Sequence, residues 1–181
     1  MPLPLDPEPT PWPPPSTLEA VLLAGGTALL ALSWATHGFA FAAVAGADLV
    51  FHEAGHAILG IAGVRFLTLL GGTLGQLAFP VVAGIAFAAR RRTVAAAAMG
   101  VWLGVNLVDV GTYAADAEAR VLPLLAPDRD SHDWWQMLGM LGLRDRCEAI
   151  GGALQALGWA LQGAAPAWVV ALRCGRLAAP G

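Results

Sequence analysis

Residues 94–114, VAAAAMGVWLGVNLVDVGTYA, decide how the chain folds. The run is long enough to cross a bilayer as one helix, which takes about 20 predominantly apolar residues. Near its end Asn106, Asp109 and Tyr113, continued by Asp116, recur at spacings of 3, 4 and 3, so one helical face carries all four. A polar stripe on an apolar helix turns away from lipid and toward a bundle interior. Four more apolar runs, Leu18 to Trp34, Phe39 to Val64, Leu74 to Ala89 and Ala149 to Leu172, repeat the character of the first. The expected fold is all-α: a polytopic membrane helix bundle of about five spans, rich in Gly and Ala that let helix backbones approach closely. Composition agrees, since 57% of the 181 residues are hydrophobic and 13% charged, against about 25% charged in ordinary soluble domains. The expected partner is the lipid bilayer, and the expected location a multi-pass position in the cytoplasmic membrane.

The two ends differ from this middle. Residues 1–17 hold a Pro-rich segment, MPLPLDPEPTPWPPP, which favours extended polyproline backbone and reads as a disordered tail ahead of a transmembrane domain over 18–181. Acidic Asp6 and Glu8 stand where a cleaved signal would need positive charge. The net charge of -3 leaves no basic surface for a phosphate backbone, which argues against nucleic acid. Arg90-Arg91-Arg92 flanks two runs directly, and the positive-inside rule places it on the cytoplasmic side, with the loop from about Ala115 to Arg146 outside. Cys147 and Cys174 stand at opposite ends of one expected helix, ~40 Å apart at 1.5 Å per residue, too far for a disulfide within one chain.

Ahead of the third run, Arg65 to Gln76 places Gly71-Gly72 between two apolar, β-compatible arms. The pattern reads as a re-entrant hairpin that lines a cavity, or else as a Gly-rich turn at the membrane surface.

The chemistry is concentrated in Asp48-Leu-Val-Phe-His52-Glu53-Ala-Gly-His56. His52 and His56 lie one helical turn apart on one face, about 5–6 Å between Cβ atoms, and can share one zinc ion. Glu53 lies beside that pair rather than on it, the position of a general base acting on water at the metal. Random occurrence of His-Glu-x-x-His in a chain of this composition is on the order of 0.002, and ionisable residues inside an apolar span persist for function. Asp48, one turn before His52, is a candidate hydrogen-bond partner for a ligand imidazole or a helix-start residue.

The stripe at 106–116 supplies the remaining candidates. Asp109 is the expected third ligand: His56 lies ~25 Å along its run from Phe39 and Asp109 ~24 Å along its own from Thr93, which gives nearly equal depth. Asp116 and His132 are the alternatives. Asn106 is a candidate donor to a substrate carbonyl or oxyanion, and Tyr113 a supporting donor. Ser131-His132-Asp133-Trp134-Trp135 reads as an interfacial anchor or as part of the mouth of the site, and His37 as interfacial.

At these residues the sequence resembles the site-2 protease family of intramembrane zinc metallopeptidases. Phe51-His52-Glu53-Ala54-Gly55-His56 in a membrane helix, a later helix with Asn106 and Asp109, and the Gly-rich segment between them carry the resemblance over roughly Ala47 to Ala115. It implies zinc held by His52, His56 and Asp109, catalysis by Glu53, and a hairpin around Gly71 to Gln76 that pairs with a membrane-embedded protein or peptide substrate. The family carries a Pro between its Asn and Asp and a Gly directly after that Asp; here the run is Asn106-Leu-Val-Asp109-Val110-Gly111. The alternative functions are a zinc hydrolase of lipid amides or esters, and a metal-binding membrane transporter or sensor without turnover. Glu53 separates these, because a transporter has no need of a non-ligand Glu beside two ligands.

Overall fold

The computed structural model describes residues 11–36, 39–125 and 128–175. Among them are six α-helices: α1 Thr17–Thr36, α2 Phe39–Gly60, α3 Arg65–Ala89, α4 Thr93–Ala115, α5 Asp133–Leu141 and α6 Cys147–Arg173. The all-α expectation holds. Three helices, α1, α3 and α4, are long and apolar enough to cross a membrane, in place of the five spans expected. The two others are interrupted by polar residues: Asp48, His52, Glu53 and His56 in α2, and Gln155 and Gln162 in α6. α1 turns Leu18, Val21, Leu22, Leu29 and Leu32 outward, a face suited to lipid.

The hairpin expectation is overturned. Residues 65–89 form one continuous helix through Gly71-Gly72. A helix closes its own backbone hydrogen bonds, whereas two apolar strand arms at membrane depth would leave edges unpaired. The glycines serve packing instead: a Cβ on Gly55, Gly71 or Gly75 would overlap backbone atoms across the α2–α3 seam, so these helices approach more closely than any side chain allows.

α3 packs on both α2 and α4, and α4 lies along α6 through a second glycine seam of Gly104, Gly111, Gly151 and Gly158. Ala20, Ala97, Val101, Ala165 and Val169 join α1, α4 and α6 into one buried cluster. Residues 11–16, within the tail expected to be disordered, lie on the bundle. Trp12 meets Trp168 edge-on at 5.0 Å, Arg91 covers the Trp12 ring, and the Thr93 hydroxyl donates to Pro13 O at 2.9 Å. Ser16 then caps α1, its hydroxyl accepting from Glu19 N–H while Glu19 accepts from Ser16 N–H, a capping box. Residues 1–10, the rest of that tail, fall outside the described residues, as does His37. Cys147 and Cys174 are free thiols at the two ends of α6, as expected.

Candidate metal centre

Three ligand-type atoms converge at one point between α2, α3 and the start of α5. His52, His56 and Asp133 each offer a nitrogen or oxygen within 4.8 Å of the others, and the group could hold a metal ion. Asp133 Oδ2 lies 3.2 Å from His52 Nε2 and 3.2 Å from His56 Nε2. The two imidazoles are nearly perpendicular, with ring centroids 4.7 Å apart, as one-turn spacing on a helix dictates.

Their other nitrogens are engaged. His56 Nδ1 lies 2.7 Å from Thr68 O; a carbonyl can only accept, so Nδ1 carries a proton, and in the neutral ring Nε2 is the lone pair. His52 Nδ1 faces Gln76 Oε1 at 3.3 Å. Two imidazole nitrogens and a carboxylate oxygen thus face one another, a donor set that a metal cation would satisfy. Metal-ligating histidines generally donate their second ring nitrogen to a carbonyl or carboxylate in this way. Gly72 makes the space, since a Cβ there would overlap the ring tips of both His52 and His56.

Asp133 reaches the histidines because several groups hold the start of α5. Its own N–H donates to the Tyr113 hydroxyl at 3.1 Å. His132 caps α5 by accepting Trp135 N–H on Nδ1 at 3.3 Å, and it stacks on Tyr113 with centroids 4.0 Å apart. Burial pushes the His132 imidazole below the ordinary histidine range, against the pull of Asp116 and Asp133, which keeps it neutral and able to accept. The guanidinium groups of Arg120 and Arg144 both lie over the Trp135 ring, 4.5 and 4.0 Å from its centroid. Gln136 accepts from Arg65 at the head of α3. Beside Asp133 opens a cavity of about 360 Å³, lined also by Gly63, Arg65, Thr68, Ser131 and Gln136; the metal group therefore communicates with the polar end of the bundle.

The residues singled out in the sequence fall into two sets. His52 and His56 meet as expected, and Glu53 stands next to them, exposed, outside the converging group, with its charge acting on His52 and Tyr113. Asp109 does not join the group: α3 lies between α2 and α4, and Gln76 occupies the gap, donating to Asp109 Oδ2 at 2.7 Å. Register is not the cause, because Trp102 Nε1 donates to Asp48 at 2.8 Å and so keeps α2 and α4 in the equal-depth alignment; Asp48 has this indole rather than an imidazole as its partner. Asp116 accepts from Val121 N–H and Leu122 N–H and faces His132 Nε2 at 3.5 Å. Neither Asp116 nor His132 enters the metal group. Asn106 donates to Trp102 O, and its buried Oδ1 has no partner.

Sequence reasoning did not place Asp133 with the two histidines, passed over Thr68, and read Gly72 and Gln76 as parts of a substrate-pairing hairpin. Asp133 stood in a segment flagged for the mouth of the site. The other three recur at spacings of 4 and 4, which a helical period would have placed on one face; reading the segment as a hairpin hid that. The chain has no significant match among protein-family models, curated proteins or solved structures.

Proposed function

We propose that this chain is a zinc-dependent hydrolase of acyl bonds at the membrane, an intramembrane metallopeptidase of the site-2 type, with His52, His56 and Asp133 holding the metal. One observation carries the reading: two imidazole nitrogens and a carboxylate oxygen converge while Glu53, beside them in sequence, stays out of the set. Three protein ligands of this kind leave a coordination position open, as in catalytic rather than structural zinc sites. A bound zinc ion supplies Lewis acidity, lowering the pKa of water and polarising a carbonyl. Glu53 takes the proton from the attacking water and returns it to the leaving nitrogen, the two halves of general acid–base catalysis. Tyr113 spends its oxygen lone pair on Asp133 N–H and keeps its own O–H to donate toward an oxyanion. Asn106 is committed to Trp102 O and has no part in the proposed cycle. Substrate reaches the metal through the cavity walled by Arg65, Thr68 and Gln136, from the polar end of the bundle.

The test is metal content together with cleavage of membrane peptides and of N-acyl amide lipids, in wild type and Glu53→Gln. The expected result is about one zinc per chain in both proteins and turnover only in wild type. Peptide cleavage supports the peptidase, and cleavage of lipid amides alone moves the reading to the lipid hydrolase. A zinc-loaded wild type inert on both substrate classes replaces it with a transporter or sensor.

A further inference from the structure

A glutamine amide can turn either its oxygen or its NH2 toward a neighbour, and which one it presents decides the tautomer of a histidine beside it. Gln76 is 3% exposed and stands between His52 of α2 and Asp109 of α4. Gln76 donates its Nε2 to Asp109 Oδ2, 2.7 Å away, a carboxyl oxygen in the role of acceptor. Oε1 is then the end 3.3 Å from His52 Nδ1, and that nitrogen must bring the proton. His52 Nε2 is left as the lone pair that faces Asp133 and His56. With the amide reversed, Nδ1 would accept from Gln76, the proton would move to Nε2, and an N–H would point at the metal position.

We infer that Asp109 is a positioning residue: through Gln76 it fixes the tautomer and ring orientation of His52, and it does not itself ligate the metal. The inference rests on the metal reading above and adds a different role for the carboxylate that sequence marked as third ligand. His56 needs no such relay, because a backbone carbonyl, Thr68 O, cannot be reversed. Of the two imidazoles, the one that faces an ambiguous amide has a carboxyl group behind that amide.

Three variants of the full-length protein test it, each read by zinc affinity and by the 15N shifts of labelled histidine in the metal-free state. Asp109→Asn lets the new amide donate to Gln76 Oε1, so Gln76 can reverse. The Nδ1–H tautomer of His52 should be depleted and zinc affinity should fall about 10- to 100-fold, the range for outer-shell partners. Adding Gln76→Glu to that variant restores an acceptor that serves both the new amide and His52 Nδ1–H; the tautomer and most of the affinity should return. Gln76→Leu, which leaves Asp109 in place, should lose affinity as Asp109→Asn does.

If Asp109 is instead a ligand, the double variant stays as weak as Asp109→Asn, and the Nδ1–H tautomer persists throughout. That result overturns the inference, as does a Gln76→Leu protein with wild-type affinity. Wild type that takes up no zinc overturns the metal reading and the relay together, whereas zinc-binding wild type with an indistinguishable Asp109→Asn overturns the relay alone. Thermal melts of each variant show whether a loss of affinity is a loss of fold.

Discussion

Two glycine seams hold the bundle together, and they are built for different ends. Between α4 and α6, a Cβ on Gly104, Gly111, Gly151 or Gly158 would run into backbone atoms of the facing helix. Nothing can yield there, and the seam is scaffold. Between α2 and α3, Gly55, Gly71 and Gly75 make the same backbone contact, but the atoms nearest a Cβ on Gly72 are the outer atoms of two imidazoles. One position along an otherwise similar seam leaves room for the tips of two imidazoles. Close helix approach is therefore not by itself a mark of function; what the missing side chain would have touched distinguishes the two uses.

The largest effect is expected from the residue that closes the open position. Asp133→Ala removes one of three converging groups, so zinc affinity should drop by more than the about 10- to 100-fold that outer partners are worth. Asp116→Ala, which loosens only the 121–122 turn and the neighbour of His132, should leave far more of it. Isothermal titration on the two variants decides between them, and a steeper loss in Asp116→Ala would break the assignment of Asp133.

Gly72→Ala comes next and tests the comparison itself. The added methyl meets side-chain tips that can swing away, so the melting temperature should hardly move. The displaced imidazoles should cost about 10-fold or more in zinc affinity, by analogy with other changes that misorient ligands. Unchanged binding would show that the opening at Gly72 is mere slack.

The smallest effect on metal belongs to the other seam. Gly158→Ala pushes a methyl against Gly104 O and Val108 N, an overpacking that costs typically about 1–3 kcal/mol of stability. Its folded fraction should bind zinc as wild type does. A large affinity change with an unmoved melting curve would mean that the α4–α6 seam reaches the metal group, and the two seams would lose their distinction.

Much of this was legible in the chain. An i, i+4 pair in a helix stands on one face whatever surrounds it, so His52 and His56 could be paired, and Glu53 set beside them, from local geometry alone. The apolar runs predicted helices because backbone in a low-dielectric layer must bond to itself. The polar stripe of α4 was also visible, but its use was not: Asp109 orients an amide, Tyr113 holds the Asp133 backbone, and Asp116 faces His132 and holds the turn after α4. A stripe reveals which face is buried and leaves open what arrives opposite.

Sequence by itself determined the long apolar helices apart from the first half of α3, the histidine pair with its neighbouring glutamate, and the apolar character that suits a bilayer, because each follows from contacts within a few residues of chain; it did not show α5. Tertiary structure alone decided which carboxylate meets the two histidines and the meaning of Gly71-Gly72. The same glycines can turn a hairpin or seat one helix against another, and the choice depends on whether a partner helix, here α2 with Gly55, is present to be approached. Asp109 and Asp133 are equally plausible carboxylates on paper. Packing separates them, since α3 stands between Asp109 and the histidines while the cap of α5, held by Tyr113 and with Arg144 over Trp135, carries Asp133 to within 3.2 Å of both.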